Sequence, residues 1–483
     1  MDCDISRVKN INNIDAGMMS LDRETENTNT QVTLLCLSTE DQALLHHRPA
    51  SPICRVPPEI MSMIFILCLG EFKYHKAEQA WVLGWVCRYW RNVAFSTPRL
   101  WSKPTFRLHG SRSGNDVIMA KEWLARAGAS PLKLSLEGSW ETAHAVLDAS
   151  VDQSHAWEEF SYRLSFRLLQ HLSPIKNRLH QLERLTLRPV GPKSLTEQVD
   201  VFEDAPRLRH LTLGPNVCAS QLNLPWSQLK SFSTAGACDI ASLCDTFQMP
   251  PNLVECDIEL AVSPSRLSRS PVRLEHLETM RVRGESLQAN FFDYLELPAL
   301  RNLHVEFTDA VKYQASSMKD LPHHWIPRLI SLIKRSSCRL SQLDMKGSFE
   351  EGHLMRLLEV TPTLQGLEIR GAAPTNLDVQ RLTRRVPADV SASDILAPNL
   401  SVFNVTCQHS HPFDFEAFAE MVRSRATCQP PANGRSQTVP VSLRSICISL
   451  PLDQSTTVSS LQLLKAELLD VTVVDSRSGQ VLL

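Results

Sequence analysis

The sequence contains no apolar stretch of the roughly 18–20 residues that a membrane-crossing helix needs. Its first ten residues, MDCDISRVKN, lack the basic start and apolar centre of a secretory signal. No block of like charge is longer than a few residues. The 50 Lys and Arg against 52 Asp and Glu leave a formal net charge of -2. No global basic field would therefore draw the chain to nucleic acid or to an anionic membrane. The 13 cysteines form no CxxC pair. An odd, unpatterned count suits a reducing compartment, so a cytoplasmic or nuclear location is expected. Cys68, Cys87 and Cys256 fall on apolar stripes and read as small core residues.

Catalytic signatures are absent as well. There is no GxxxxGK[ST], HExxH, GxGxxG or GxSxG, and the GPKS at 191–194 lacks the preceding glycine of a phosphate loop. The stretch CQHSHPF (407–413) offers Cys407, His409 and His411, but a four-ligand set is missing, so it reads as a solvated loop. The pairs His46-His47 and His323-His324 read as surface residues. Asn399 and Asn404 stand in NLS and NVT, glycosylation acceptors without meaning in a chain that shows no sign of secretion. No catalytic residue, cofactor site or metal site is expected, and no nucleic-acid or membrane partner.

What is present is a chain of 483 residues, 43% hydrophobic and 21% charged. That suffices for about three average domains, or for one small domain and a long repeat array. Residues 1–49 are rich in Asn, Thr, Asp and Ser and read as a disordered extension. Within them STEDQALLHH could form a helical turn or two, capped by Ser38 or Thr39. Removing the first 45 residues should leave the fold intact.

The next segment is different. In RVPPEIMSMIFILCL (55–69) nine of the ten residues from Ile60 to Leu69 are apolar. Pro57 and Pro58 are preset for a first helical turn, Glu59 suits the positive end of the helix dipole, and Gly70 stands at a natural stop. The pattern predicts a three-turn helix over 58–69, apolar nearly all round, which must be buried on most sides. WVLGWVCRYWRNVA (81–94) predicts a second. There Val82, Val86, Trp90 and Val93 share one helical face, flanked by Trp85 and Tyr89. STPRLW closes the segment at Trp101. A unit of about 50 residues cannot hide that much apolar surface, so it needs the rest of the chain or a partner.

From about residue 130 to 450 short units of the form Leu-x-x-apolar-x-apolar recur. They start at Leu182, Leu208, Leu253, Leu277, Leu300, Leu340, Leu364, Leu400 and Leu443, with a weaker one at Leu229 that ends on Thr234. The period-two ending predicts a short strand in each. The stretches between can hold helices, as HLMRLLEV does before TPTLQGLEIRG. A strand and a return element every 20–29 residues or so is the pattern of a leucine-rich array. PRLRHLTL, PNLVECDI, PALRNLHV, PTLQGLEI and PNLSVFNV each place Pro two residues before the first Leu. The turn Asn that usually follows such strands occurs once, at Asn216. An irregular array is therefore expected, with loops at 261–273 and 423–440. Leu185, Leu187, Leu367 and Ile369 should point into one core. The intervening positions, such as Arg184, Arg209, Arg301 and Glu368, should face the other way. They mix both signs and name no ligand.

VPPEIMSMIFILCL followed by WVCRYWRNVAFSTPRLW closely resembles the F-box motif. Pro57, Pro58, Glu59, Ile60, Ile64, Phe65, Val86, Cys87, Trp90, Arg91, Leu100 and Trp101 fit its pattern, while Val56 and Met61 stand where Leu is usual. The chain beyond residue 101 is similar to F-box proteins of mushroom-forming fungi that carry a degenerate leucine-rich region. FEAFAEMVRSR (415–425) and ELLDVTVV (467–474) resemble that group's C-terminal segments.

The resemblance covers roughly residues 50 to 475. It implies an α/β fold: a small all-helical F-box followed by an irregular leucine-rich-repeat solenoid of short parallel strands with return helices. The implied organisation is 1–49 extension, 50–104 F-box, 105–475 leucine-rich region and 476–483 tail. It implies a non-catalytic, substrate-recruiting subunit of an SCF-type ubiquitin ligase. Val56, Pro57, Pro58, Glu59, Ile60, Ile64, Val82, Val86, Cys87 and Trp90 would dock a Skp-family adaptor and through it a cullin-RING ligase. The leucine-rich region would hold a target protein that the sequence does not identify. Two other classes stay open: a scaffold that binds the adaptor or another partner without degradation, and an enzyme, which would need a polar constellation that the motifs do not show.

Overall fold

The computed structural model describes residues 52–71, 76–108, 113–138, 143–191, 198–215, 217–261, 270–308, 325–347, 351–371, 374–384, 396–406, 415–426, 442–450 and 470–475. Residues 1–49, the histidine pairs at 46–47 and 323–324, Asn216, the 407–413 stretch and 476–483 lie outside the described residues. The chain is α/β and divides into two compact units between Trp157 and Glu158. The boundary expected after residue 104 falls inside the first.

In the first unit three helices, α1 (Pro58–Glu71), α2 (Lys76–Val86) and α3 (Arg88–Phe95), are followed by a 3-10 turn over Pro98–Leu100. Strand β1 (Thr105–Leu108), helix α4 (Ser113–Ala127), strand β2 (Leu132–Gly138) and helix α5 (Ala143–Val151) complete it. β1 and β2 pair in parallel, with Thr105 opposite Ser135. Helix α1 begins where the proline pair and Glu59 predict, and the Met61 amide donates to the Pro57 carbonyl at 3.0 Å. It runs on through Gly70 to Glu71.

The single helix expected over 81–94 is instead two. Cys87 is extended, at φ -163° and ψ 171°, and its Sγ accepts the Trp90 amide as the N-cap of α3. A side-chain acceptor at that point satisfies an amide that a continuous helix would have bonded one turn back. The corner is then tied by Arg91, whose Nε donates to the Gly84 carbonyl at 2.8 Å. Val82 and Val86 therefore lie on one helix and Trp90 and Val93 on another, so the shared face predicted for them does not exist.

From the boundary, which falls after the first residue of β3 (Trp157–Arg163), the strands are β3, β4 (Arg184–Leu187), β5 (His210–Leu213), β6 (Ser231–Thr234), β7 (Glu255–Glu259), β8 (Val272–Arg273), β9 (Thr279–Glu285) and β10 (Leu295–Glu296). There follow β11 (Asn302–Thr308), β12 (Gln342–Lys346), β13 (Gly366–Arg370), β14 (Val402–Thr406), β15 (Ser445–Leu450) and β16 (Asp470–Asp475). From β3 onward each pairs in parallel with the next in chain order, except that β8 and β10 form a small parallel sheet of their own. Parallel neighbours need crossovers. Some of these are helical: α6 (Ile240–Phe247), α7 (Trp325–Ser336), α8 (His353–Glu359), α9 (Asn376–Leu382) and α10 (Phe415–Ala426).

Every Leu-x-x unit lands on a strand of this sheet, and every leading leucine is buried. The alternation stacks in register: Leu185 faces Leu211, Leu211 faces Phe232, Leu343 faces Leu367 and Leu367 faces Phe403. The preceding prolines have a specific job. Pro206, Pro298, Pro362 and Pro398 stand second in turns closed by the amides of Leu208, Leu300, Leu364 and Leu400, which donate to the carbonyls three residues back. Proline's fixed φ suits that position. The weaker unit ends on Thr234 at a core position, where its hydroxyl accepts the Glu259 amide at 2.8 Å, so the polar group is not wasted.

Two loop expectations change. Residues 272–273 of the 261–273 stretch form β8, and α10 continues through Ala426 into the 423–440 stretch.

Candidate functional site

Helix α1 buries Met61 and Phe65, each 1% exposed, and leaves Ile60, Met63, Ile64 and Leu67 in the open. Helix α2 leaves Val82, Trp85 and Val86 exposed, and Ile53 precedes both helices in the same state. These eight side chains range from 41% exposed at Ile64 to 71% at Leu67. Eleven large apolar side chains are exposed among the described residues, so this short segment carries most of them. Scattered single exposures need no explanation, but a concentration does.

Of the cover that α1 needs, from the rest of the chain or from a partner, the described residues supply only part. The reason is geometric. Phe65 packs on Trp90, with ring centroids 4.9 Å apart, and α3 covers one side of α1. Among the described residues no element of the unit closes over Ile60 and Ile64. Cys68 shares that open exposure and is corrected from core to surface, whereas Cys256 is buried and Cys87 is a half-buried cap.

The ten residues expected to dock a partner divide accordingly. Pro57, Pro58, Glu59, Ile60, Ile64, Val82 and Val86 are exposed, while Val56, Cys87 and Trp90 are half-buried. Val56 is fixed by its carbonyl, which accepts the Tyr89 hydroxyl. Ile53, Met63, Leu67 and Trp85 belong to the same exposed set but not to the ten. The sequence marks Trp85 only as a flank of the Val82 face, and Met63 and Leu67 only by their apolar character in a helix already too greasy. Trp85 stands three residues after Val82, and Val86 four, so the three form one stripe.

The polar face of the large sheet is the other surface of interest. There Asp257 accepts Arg283 at 2.7 Å and lies 3.4 Å from Arg281. Asp344 lies between His304, at 3.1 Å, and Arg370, whose Nε donates to it at 3.0 Å. Lys346 pairs with Glu306, and Arg184 lies 3.5 Å from Glu159. Burial alone would lower the Arg370 pKa, but the Asp344 carboxylate outweighs it and holds the group above the usual arginine value. Burial, then the neighbouring Arg184, pushes His210 below its usual value. Much of the charge on this face is satisfied within the face, so it asks for no ligand of one sign.

Among the described residues no three His, Cys, Asp or Glu side chains are grouped to hold a metal ion. No described helix is long and apolar enough to cross a membrane. No family model matches the chain, and no curated protein matches it.

Proposed function

We propose that the first unit docks a Skp-family adaptor through the apolar face of α1 and α2, as an F-box would. The chain then acts as a non-catalytic, substrate-recruiting subunit of an SCF-type ubiquitin ligase. In this reading the second unit is an irregular leucine-rich-repeat solenoid whose polar sheet face meets the target, and transfer of ubiquitin takes place on other subunits. The chain's contribution is proximity. The observation that carries the proposal is the set of eight exposed apolar side chains, in which Ile60, Ile64, Val82 and Val86 coincide with positions implied by the resemblance.

Covering a half-exposed side chain of this size gains about 1 kcal/mol, so eight give roughly 8 kcal/mol. Association itself costs about 4–15 kcal/mol. The gain from the whole face is thus comparable to the cost of association, and a charge buried unpaired within that face should defeat docking. Ile64→Asp combined with Val86→Asp places carboxylates at two exposed positions, so the fold should survive. Co-expression with a Skp-family adaptor and capture of the intact chain is the test. Wild-type capture with loss in the double variant is the expected result. Undiminished capture by the double variant refutes the proposal.

A further inference from the structure

The guanidinium of Arg126 on α4 is enclosed by aromatic rings from the F-box-like helices. Its Cζ lies 4.4 Å from the ring centre of Trp81, 4.2 Å from that of Phe95 and 5.0 Å from that of Trp101. Nη2 donates to Glu122 at 3.1 Å, while Nη1 is buried and meets no acceptor. The side chain's main engagement is thus with ring faces, and all three lie within the roughly 6 Å over which a cation is drawn to an aromatic face. The rings brace one another edge-on: Trp81 and Trp101 are 5.1 Å apart and Trp101 and Trp123 4.8 Å apart. Two indole hydrogen bonds fix the frame, from Trp101 to the Ala94 carbonyl at 2.8 Å and from Trp123 to the Trp101 carbonyl at 2.6 Å.

The box takes one ring from α2, one from α3 and one from the end of the 3-10 turn, and α4 supplies the cation. Helix α4 lies wholly beyond the stretch that resembles an F-box. Trp81 immediately precedes Val82, so what holds its ring also sets the rotation of α2 about its axis. That rotation decides whether Val82, Trp85 and Val86 face outward together. We propose that Arg126 is a positioning residue for the docking face, and that the docking unit extends through α4 instead of ending at Trp101. This rests on the docking reading given above. If the box is loosened, the competent arrangement of α2 is populated only part of the time, and apparent affinity falls by that fraction.

The test uses the intact chain and a purified Skp-family adaptor, with binding measured well below the melting temperature. Arg126→Met, which keeps the stem and removes the cation, should weaken binding about tenfold. It should also speed amide exchange over residues 81–86 while leaving the strands of the second unit unchanged. Arg126→Lys keeps a cation over the rings and should restore most of the affinity. Glu122→Gln should bind as wild type, since the ion pair is peripheral. Should Arg126→Met fold poorly, Trp81→Leu removes one wall of the box and should show the same loss. Wild-type binding by both Arg126→Met and Trp81→Leu, beside the failure of Ile64→Asp with Val86→Asp, overturns this inference and leaves the docking reading standing. Retained binding by that double variant overturns both.

Discussion

Leu367 and Glu368 are neighbours on β13 and point to opposite faces of the sheet. Leu367 is 1% exposed and stands in register between Leu343 and Phe403. Replacing it with Asp removes a buried side chain, which for truncation alone costs about 2–5 kcal/mol. It also places a carboxylate where the register offers it only apolar neighbours, worth several kcal/mol more. The sum approaches the whole stability of an ordinary domain, about 5–15 kcal/mol. Glu368 lies 3.4 Å from Arg370, with both side chains more than a third exposed. Such a pair contributes roughly 0–1 kcal/mol, and Arg370 keeps Asp344 when Glu368 is lost, so Glu368→Gln should cost about 0.5 kcal/mol or less. Urea titration of the intact chain followed by far-UV circular dichroism reads the contrast. Leu367→Asp should lose the main transition or move its midpoint far down, while Glu368→Gln leaves it in place. Equal, mild effects from both would refute the face assignment of β13 and with it the stacked register of the sheet.

Three further outcomes follow from particular groups. Asp239 caps α6, and its carboxylate accepts the Ser242 amide at 2.9 Å and hydroxyl at 2.6 Å. Burial raises its pKa, but these hydrogen bonds outweigh it and hold the group below its usual value of 3.8. A depressed folded value means the cap's contribution is complete above the unfolded value and is lost as pH falls through the folded one. The melting-temperature deficit of Asp239→Ala, about 1 kcal/mol in free energy, should thus be constant near neutrality and shrink below about pH 4. Arg425 is 1% exposed and donates to the carbonyls of Leu382 at 2.7 Å, Leu396 at 2.7 Å and Ala397 at 3.1 Å. Burial, and then Arg384, lowers its pKa to about 9. Arg425→Met would leave those carbonyls short of donors and should destabilise the second unit by about 3 kcal/mol or more, seen as a lower thermal midpoint. The Ile64→Asp with Val86→Asp chain should keep a single cooperative melt and lose only a few degrees against wild type, because both side chains are about half in water.

Much of the sheet was legible because two independent local signals agreed. The period-two ending of each unit marks a half-turned strand, and the proline two residues before the leading leucine marks the turn that feeds it. Leu208 and Leu364 show both at once, and both sit where those signals place them. The break at Cys87 was not legible, because a spacing of four, four and three is the same whether one helix runs through or two abut. A thiol is also a poor advertisement for a cap, since Ser, Thr, Asp and Asn are the usual acceptors. The strand at Val272–Arg273 was hidden in a proline- and serine-rich stretch that reads as loop. Arg126 gave no sign of itself. Its three rings come from residues 25 to 45 positions upstream (101, 95 and 81), and no local pattern carries a contact made by tertiary packing.

The face of α1 poses a different problem. A helix that is apolar all round has no periodicity to say which side the chain will cover. Met61 and Phe65 are spaced by four, and so are Ile60 and Ile64 one step around the helix, yet the first pair is buried and the second is open. The residues do not differ in hydrophobicity enough to decide this. What differs is that Trp90 and α3 stand against Phe65. The second unit leaves one large apolar side chain exposed among its described residues, Leu377, although it is the longer of the two. Among the described residues the apolar surface of the second unit is thus covered, and what stays open lies chiefly along α1 and α2. An uncovered stripe of isoleucine, leucine, methionine and tryptophan stays in water at a cost of roughly 25 cal/mol per Å². A short segment that carries that cost where the neighbouring unit avoids it is best accounted for by a surface completed on binding, which is the ground on which the docking proposal stands.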